Sequence, residues 1–164
     1  LLLFILPLPG SVVAGCEELL QRGSAASARV LLELHGTPVN LDQLTLHLPG
    51  ITLWVAPECS GLRSSLGLLL LTTVAAGTLL QTRTARIALL ASIAPIAVAR
   101  NGARIFVIAV MCEQQGPAAL ESPLHRHGGP VFFALSLVPW TLLLAVLWRR
   151  EARNRPSPHP LSQT

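Results

Sequence analysis

The sequence predicts an all-α membrane protein: a helical transmembrane bundle of about three full spans plus a truncated N-terminal one, with an amphipathic helix and a short external β-hairpin. Three observations carry this expectation. Of 164 residues, 51% are apolar and only 12% charged, half the roughly 25% charged share of a soluble domain, and mean hydropathy is +0.57. Three apolar stretches, 64–81, 87–104 and 131–148, each approach the about 20 residues that cross a bilayer. Arg83, Arg86, Arg149, Arg150, Arg153 and Arg155 cluster just beyond these runs, where basic residues carry topology information. The net charge of +4 forms no basic stripe interleaved with aromatics, so nucleic acid is excluded as a partner and the lipid bilayer is implied.

The elements follow in order. Leu1–Pro9 is too short to span, and no basic n-region or small-residue cleavage site marks a signal peptide. The chain therefore reads as starting inside a membrane helix. From Ser11 to His35, apolar and small residues at 12, 16, 19, 20, 23, 26, 27, 30, 31 and 34 oppose Glu18, Arg22, Arg29 and Glu33. That spacing is an amphipathic helix, lying in the interface or packed on the bundle. Gly36-Thr37-Pro38 ends it. Residues 44–48 and 51–55 alternate around Pro49-Gly50, a β-hairpin signature, and an open sheet edge belongs outside the hydrocarbon. The three spans come next, the second extending toward Cys112 by its apolar composition. Pro156, Pro158 and Pro160 mark a disordered tail. The division is a membrane domain over 1–150 and a disordered cytoplasmic tail over 151–164.

Orientation follows from the basic flanks. Both 83–86 and 149–155 favour the cytoplasm, and counting crossings puts Cys59, Arg104 and His125 together on the opposite side. No Asp or Glu occurs between Ser60 and Cys112. Ser60 caps the following helix, so the Cys59 thiol lies beside exposed N–H groups and the positive end of a helix dipole. That position and Arg63 favour the thiolate, while Glu58 opposes it. The alternative is a buried cysteine acting as a small hydrophobe. Cys16, on the apolar face of its helix, and Cys112, ending an apolar run, read as packing residues. A Cys59–Cys112 disulfide is open on an oxidising face. Arg104 stands about 18 residues from Arg86, on the order of 27 Å at helical rise, at the outer end of the second span. There it either snorkels to headgroups or, with Asn101 on the same helix face, donates to an oxyanion. Arg100 and Arg63 read as interfacial anchors or structural partners. His125 and His127 sit in a polar loop before the last span, and His suits acid–base work near neutral pH. A zinc site recruiting Cys59, His125 and His127 lacks a supporting spacing, so no metal and no cofactor is expected.

Glu58-Cys59-Ser60-Gly61-Leu62-Arg63-Ser64, then Asn101-x-x-Arg104-Ile105, then His125-x-x-x-Gly129-x-x-x-Phe133 resemble, in order and spacing, the three signature blocks of the exosortase/archaeosortase family. Pro7-Leu8-Pro9, Gly36-Thr37-Pro38-Val39 and Leu48-Pro49-Gly50-Ile51 look like the segment preceding the family's cysteine. The resemblance runs from residue 1 to about 148 and covers the family's C-terminal part. It implies an integral protein of the cytoplasmic (inner) membrane, a cysteine transpeptidase with its site on the external face. Its substrates would be exported proteins whose C-terminal sorting signal joins a short motif such as Pro-Glu-Pro, a transmembrane helix and a basic tail. Carried over, Cys59 is the nucleophile, Arg104 the oxyanion or carbonyl stabiliser and His125 the acid–base residue. Asn101, Ser60, Arg63 and His127 are supporting candidates; Gly129 at +4 and Phe133 at +8 favour His125 over His127. A non-catalytic membrane scaffold or export partner is the alternative reading.

Overall fold

The computed structural model describes residues 9–56, 61–116 and 123–153, leaving aside the side chains of 63 and 123–127. The run Leu1–Pro9 expected as a truncated helix, save Pro9, and the tail beyond Arg153 lie outside the described residues. The fold is mostly helical with a small three-stranded sheet. Its elements are α1 (Gly10–His35), β1 (Asn40–Asp42), β2 (Thr45–Leu48), β3 (Ile51–Trp54), α2 (Leu62–Leu79), α3 (Arg83–Ala91), α4 (Ile93–Gln115) and α5 (Pro123–Arg153).

The first helix is amphipathic, as the spacing predicts, but a different face is buried. Gln21, Ser24, Ala25, Ala28 and Leu32 are its buried residues, a row of i, i+3, i+4, i+7 neighbours. Val12, Leu19, Val30 and Leu34 point outward, and Cys16 is an exposed free thiol rather than a packing residue. The small buried row lets α1 run close beside α4 in the same direction. A Cβ on Gly23 would stand 3.0 Å from Val98, and one on Gly102 would collide with Ser27, 2.6 Å from its Cβ, and approach the Ala28 nitrogen at 3.2 Å. Gly36, at φ 90, closes the helix in a Schellman motif, with Gly36 N–H donating to Glu33 O and Thr37 N–H to Leu32 O.

The expected hairpin is present and carries a third strand. Strands β1, β2 and β3 form an antiparallel sheet in that order, with Leu46 opposite Leu53 and Leu48 opposite Ile51. Gly50 at φ 82 supplies the left-handed position of the turn after Pro49. The sheet packs against α1 and the last turns of α4, burying Leu46, Leu48 and Val55 with Ala25, Ala28, Leu32, Ile105 and Ala109.

A second core lies between α2, α3 and α5, where Leu68, Ala75, Ala76, Leu80, Ala85, Leu89 and Trp140 are buried together. Two helical stretches, Arg83–Gln115 and Gly128–Arg153, are long and apolar enough to cross a membrane, and Ser64–Leu79 is a shorter apolar helix. Val131, Leu135, Val138, Leu142 and Val146 of α5 are exposed, and their three- and four-residue steps form one apolar stripe. A soluble monomer rarely exposes so continuous a stripe.

The second expected span, 87–104, is longer and interrupted. Helix α3 ends at Ala91, α4 begins at Ile93, and Ser92 keeps helical dihedrals between them, φ −69 and ψ −16. Pro95 explains the interruption, since it has no N–H to donate to the carbonyl four residues back. Arg104 is therefore not at a helix end: α4 continues about three turns beyond it, to Gln115. The whole stretch is about 50 Å long at helical rise, against a hydrocarbon core of about 30 Å.

Turn chemistry fastens the opposite end of the bundle. The Glu151 carboxylate accepts from the Gln81 N–H at 2.9 Å, from the Thr82 N–H at 2.8 Å and from the Thr82 hydroxyl. Arg86 donates twice to Leu80 O, at 2.9 and 2.8 Å, so this arginine of the basic flank closes the C-terminus of α2. Inside the second core, Trp140 Nε1 donates to Thr72 Oγ1 at 2.9 Å.

Two substitutions test this packing by thermal unfolding of the detergent-solubilised protein. Gly102→Val must separate α1 from α4 and is expected to cost about 1–3 kcal/mol by overpacking. Thr72→Val keeps the shape but leaves the buried Trp140 N–H without its acceptor, a loss of about 1–3 kcal/mol. Wild-type stability in either variant would contradict the corresponding contact.

Candidate active site

The two apolar cores meet at a polar layer on α4. Arg100 and Asn101 are buried, at 7% and 3% exposure, and Arg104 is half-buried one turn further on. Small residues on α1 allow this burial, because Gly102 lies against Ser27 and Ala28 and draws the flanking positions inward. Asn101 Nδ2 donates to Ser24 Oγ at 3.0 Å. The expectation that Asn101 and Arg104 share a face of α4 holds, and one donor of the amide is committed to α1.

Of the two readings of Arg100, anchor or structural partner, the structure favours the second. Arg100 is too buried to be an interfacial anchor, and it is a structural partner of the α2 N-terminus: its Nη2 donates to Gly61 O at 3.2 Å. Its Nη1 is buried with no hydrogen-bond partner among the described residues. Gly61 adopts φ 73, and a Cβ there would stand 2.9 Å from Arg100 Nη2, so this approach requires glycine. The same carbonyl accepts from Ser65 N–H at 3.0 Å and from the Ser64 and Ser65 hydroxyls at 3.0 and 2.9 Å. The start of α2 is thus tied to α4 through one oxygen. On the other side of segment 57–60, Gln21 Nε2 of α1 donates to Val55 O at 3.1 Å.

Cys59 and Ser60 lie outside the described residues, immediately before Gly61. Arg63 is in the first turn of α2, and its side chain is not described. His125 and His127 fall in the first turns of α5, which begins at Pro123, rather than in a loop; their side chains are likewise not described. Among the expected residues, Asn101 comes beside Gly61 of the cysteine block, its Cγ 3.4 Å from where a Gly61 Cβ would stand, and Arg104 follows one turn further along α4. Cys112 is a buried free thiol, packed with Ile108 as a small hydrophobe, as the sequence suggests. Among the described residues no group of three His, Cys, Asp or Glu could hold a metal ion, and the zinc alternative rests on side chains outside that set.

Sequence reasoning missed Gln21 and Ser24. Their signal was present: isolated polar residues at i, i+3 within a row of small residues, on the side of α1 away from Leu19 and Leu34.

The arrangement offers the half-buried guanidinium of Arg104 one turn from the buried Asn101 amide, on the helix whose Arg100 holds the N-terminus of α2. Donors held this way suit stabilisation of negative charge developing on an oxygen. No curated protein and no solved structure matches the chain. The family model for the transmembrane exosortase matches residues 1–142, a range that contains the three sequence blocks, both apolar cores and the polar layer. The chain is an integral membrane protein and belongs to the transmembrane exosortase family.

Proposed function

We propose that the protein is a membrane cysteine peptidase and transpeptidase that cleaves the C-terminal sorting signal of exported proteins and transfers them to a surface acceptor. The observation that carries this reading is the bond from buried Arg100 to Gly61 O, with Asn101 and Arg104 next along α4, because Gly61 is two residues from Cys59. Two Cα–Cα steps of about 3.8 Å each bound the distance between those residues. Membership of the exosortase family supports the chemistry in general terms.

The proposed reaction begins with attack of the Cys59 thiolate on a peptide carbonyl of the substrate. The carbonyl π electrons move to oxygen, and Arg104 stabilises the oxyanion, with Asn101 and Ser60 as supporting groups. The oxyanion collapses, the C–N bond breaks and protonated His125 gives its proton to the leaving amine. The thioester then receives an acceptor nucleophile, from which neutral His125 removes a proton. The thiolate leaves and the cycle closes. Glu58 and Glu121 are the acids nearest in sequence to these residues, so a base dedicated to water is not evident and transfer is favoured over hydrolysis. Arg63 lies one turn into α2 from the thiol and favours its ionised form.

The proposed topology places α2, the Arg83–Gln115 stretch and α5 as three crossings of the cytoplasmic membrane, with Cys59 and His125 outside and Arg83, Arg86 and Arg150 inside. It follows the positive-inside rule. A membrane-impermeant thiol reagent on intact cells is expected to label an engineered cysteine at 120 and not one at 84; the reverse pattern would overturn the orientation.

The roles are tested on a substrate bearing the sorting signal. Cys59→Ala, Arg104→Ala and His125→Ala are each expected to abolish processing while the protein remains in the membrane, whereas Cys16→Ser retains activity. A His127→Ala loss exceeding that of His125→Ala would move the acid–base role to His127. Acid quench of the wild type should trap a hydroxylamine-sensitive adduct on Cys59. Processing without any thioester would count against covalent catalysis, and absence of both processing and selective Cys59 alkylation would favour a scaffold.

A further inference from the structure

Two backbone carbonyls bracket segment 56–60, and a side chain from a different helix holds each. Val55 O accepts from Gln21 of α1 at 3.1 Å, and Gly61 O accepts from Arg100 of α4 at 3.2 Å. The helices supplying the donors are joined by the bond from Asn101 to Ser24 at 3.0 Å. Ser24 lies one turn from Gln21, and Asn101 is adjacent to Arg100. Tied to each other, α1 and α4 thus hold Val55 and Gly61, the residues on either side of positions 56–60.

Several features separate this arrangement from incidental surface contacts. Both donors are buried, Gln21 at 6% and Arg100 at 7% exposure, so water does not replace a lost bond and the carbonyl would be left unsatisfied. Both acceptors are main-chain atoms, so the bonds fix the path of the backbone whatever side chain stands at 55. Glycine at 61 admits the guanidinium, which a Cβ would meet at 2.9 Å. Among the described residues Arg100 has no acidic partner, although Arg104 lies one turn away on the same helix. Charge pairing therefore does not account for a buried guanidinium at 100, whereas a long donor reaching Gly61 does.

We infer that Gln21 and Arg100 are positioning residues for Cys59: they set the two ends of the segment bearing the thiol and make α1 part of the catalytic framework. The inference rests on the reading of Cys59 as nucleophile. An attacking atom must sit within near-attack distance of the carbonyl, and a misplacement of about 1 Å costs on the order of 100-fold in rate. Release of either end of the segment permits that displacement without altering the groups that touch the substrate.

The test uses the membrane-inserted full chain and a substrate carrying the sorting signal. Gln21→Met and Arg100→Met remove a donor at nearly constant length; Gln21→Glu and Arg100→Lys are second variants that hold side-chain size or the donor. Each Met variant should lower kcat by about 10–100-fold with KM changed less than about 3-fold, and Arg100→Lys should recover most of the loss. The double Met variant should be little worse than either single one, because both act on one segment. The pH profile of Cys59 alkylation by iodoacetamide, measured in a Cys16→Ser, Cys112→Ser background, should move in both variants. Multiplicative losses, an effect on KM alone, or an unchanged alkylation profile would overturn the inference. A wild-type protein that alkylates at Cys59 but never processes substrate would defeat the transpeptidase reading, while the alkylation profiles would still decide whether the arrangement positions the thiol.

Discussion

The contact of Gly102 with Ser27 and Ala28 sets the distance between α1 and α4, and most of the upper structure depends on that distance. Lipid tails are as apolar as leucine, so helices in a membrane gain little from burying large apolar side chains against one another; close backbone approach and interhelical hydrogen bonds do more. Small residues at 23, 24, 27 and 28 on α1, facing Gly102 on α4, allow such an approach. With the helices this close, Ser24 reaches Asn101 and Gln21 reaches Val55 O. The sheet then closes over the same pair, with Leu46 and Leu48 completing the core formed by Leu32, Ile105 and Ala109. A wider spacing would remove the hydrogen bonds and open the core together.

Helix α4 links the two halves of the molecule. Below Arg100 the Arg83–Gln115 stretch serves the α2–α5 core through Ala85 and Leu89; above Arg104 it serves the α1–sheet core through Ile105 and Ala109. The stretch is longer than a hydrocarbon core is thick, so a crossing by its lower part would leave the rest to support the sheet. Pro95 interrupts the ladder just below the polar layer, so the two parts need not share an axis.

The sequence was legible wherever period and length decide the outcome. Apolar runs located α2 and α5, strict alternation around Pro49-Gly50 located the hairpin, and Gly36 located the end of α1. It misled where the environment decides. In a soluble protein the leucine face of α1 would be inside; here Leu19, Val30 and Leu34 are outside, and the face of Gln21, Ser24 and Ala28 is buried instead. The same inversion hid the roles of Gln21 and Ser24. Arg104 was expected at the outer end of the second span with the apolar helix extending toward Cys112, and residues 105–112 do continue the helix past it. β1 escaped notice because three residues are too few to show alternation. At the site, the order of the three blocks could be read from residue types, but Arg100 could not be told from an anchor without knowing that Gly61 folds back onto it.

A polar layer between two apolar cores needs a physical reason to persist. Taking a guanidinium out of water costs on the order of several kcal/mol. Here one amine of Arg100 meets the Gly61 carbonyl and the other has no acceptor among the described residues. Packing does not require the charge, since an aliphatic side chain would fill the space between α2 and α4 more cheaply. Buried cations that stability does not explain are, in membrane proteins, first candidates for functional groups. In this chain the argument is strengthened by position, because the buried guanidinium of Arg100 lies against the residue two places after the cysteine of the first sequence block. In the proposed reading the layer sets the position of the nucleophile, and the hydrogen bonds of Gln21, Ser24 and Asn101 are what keep it in place.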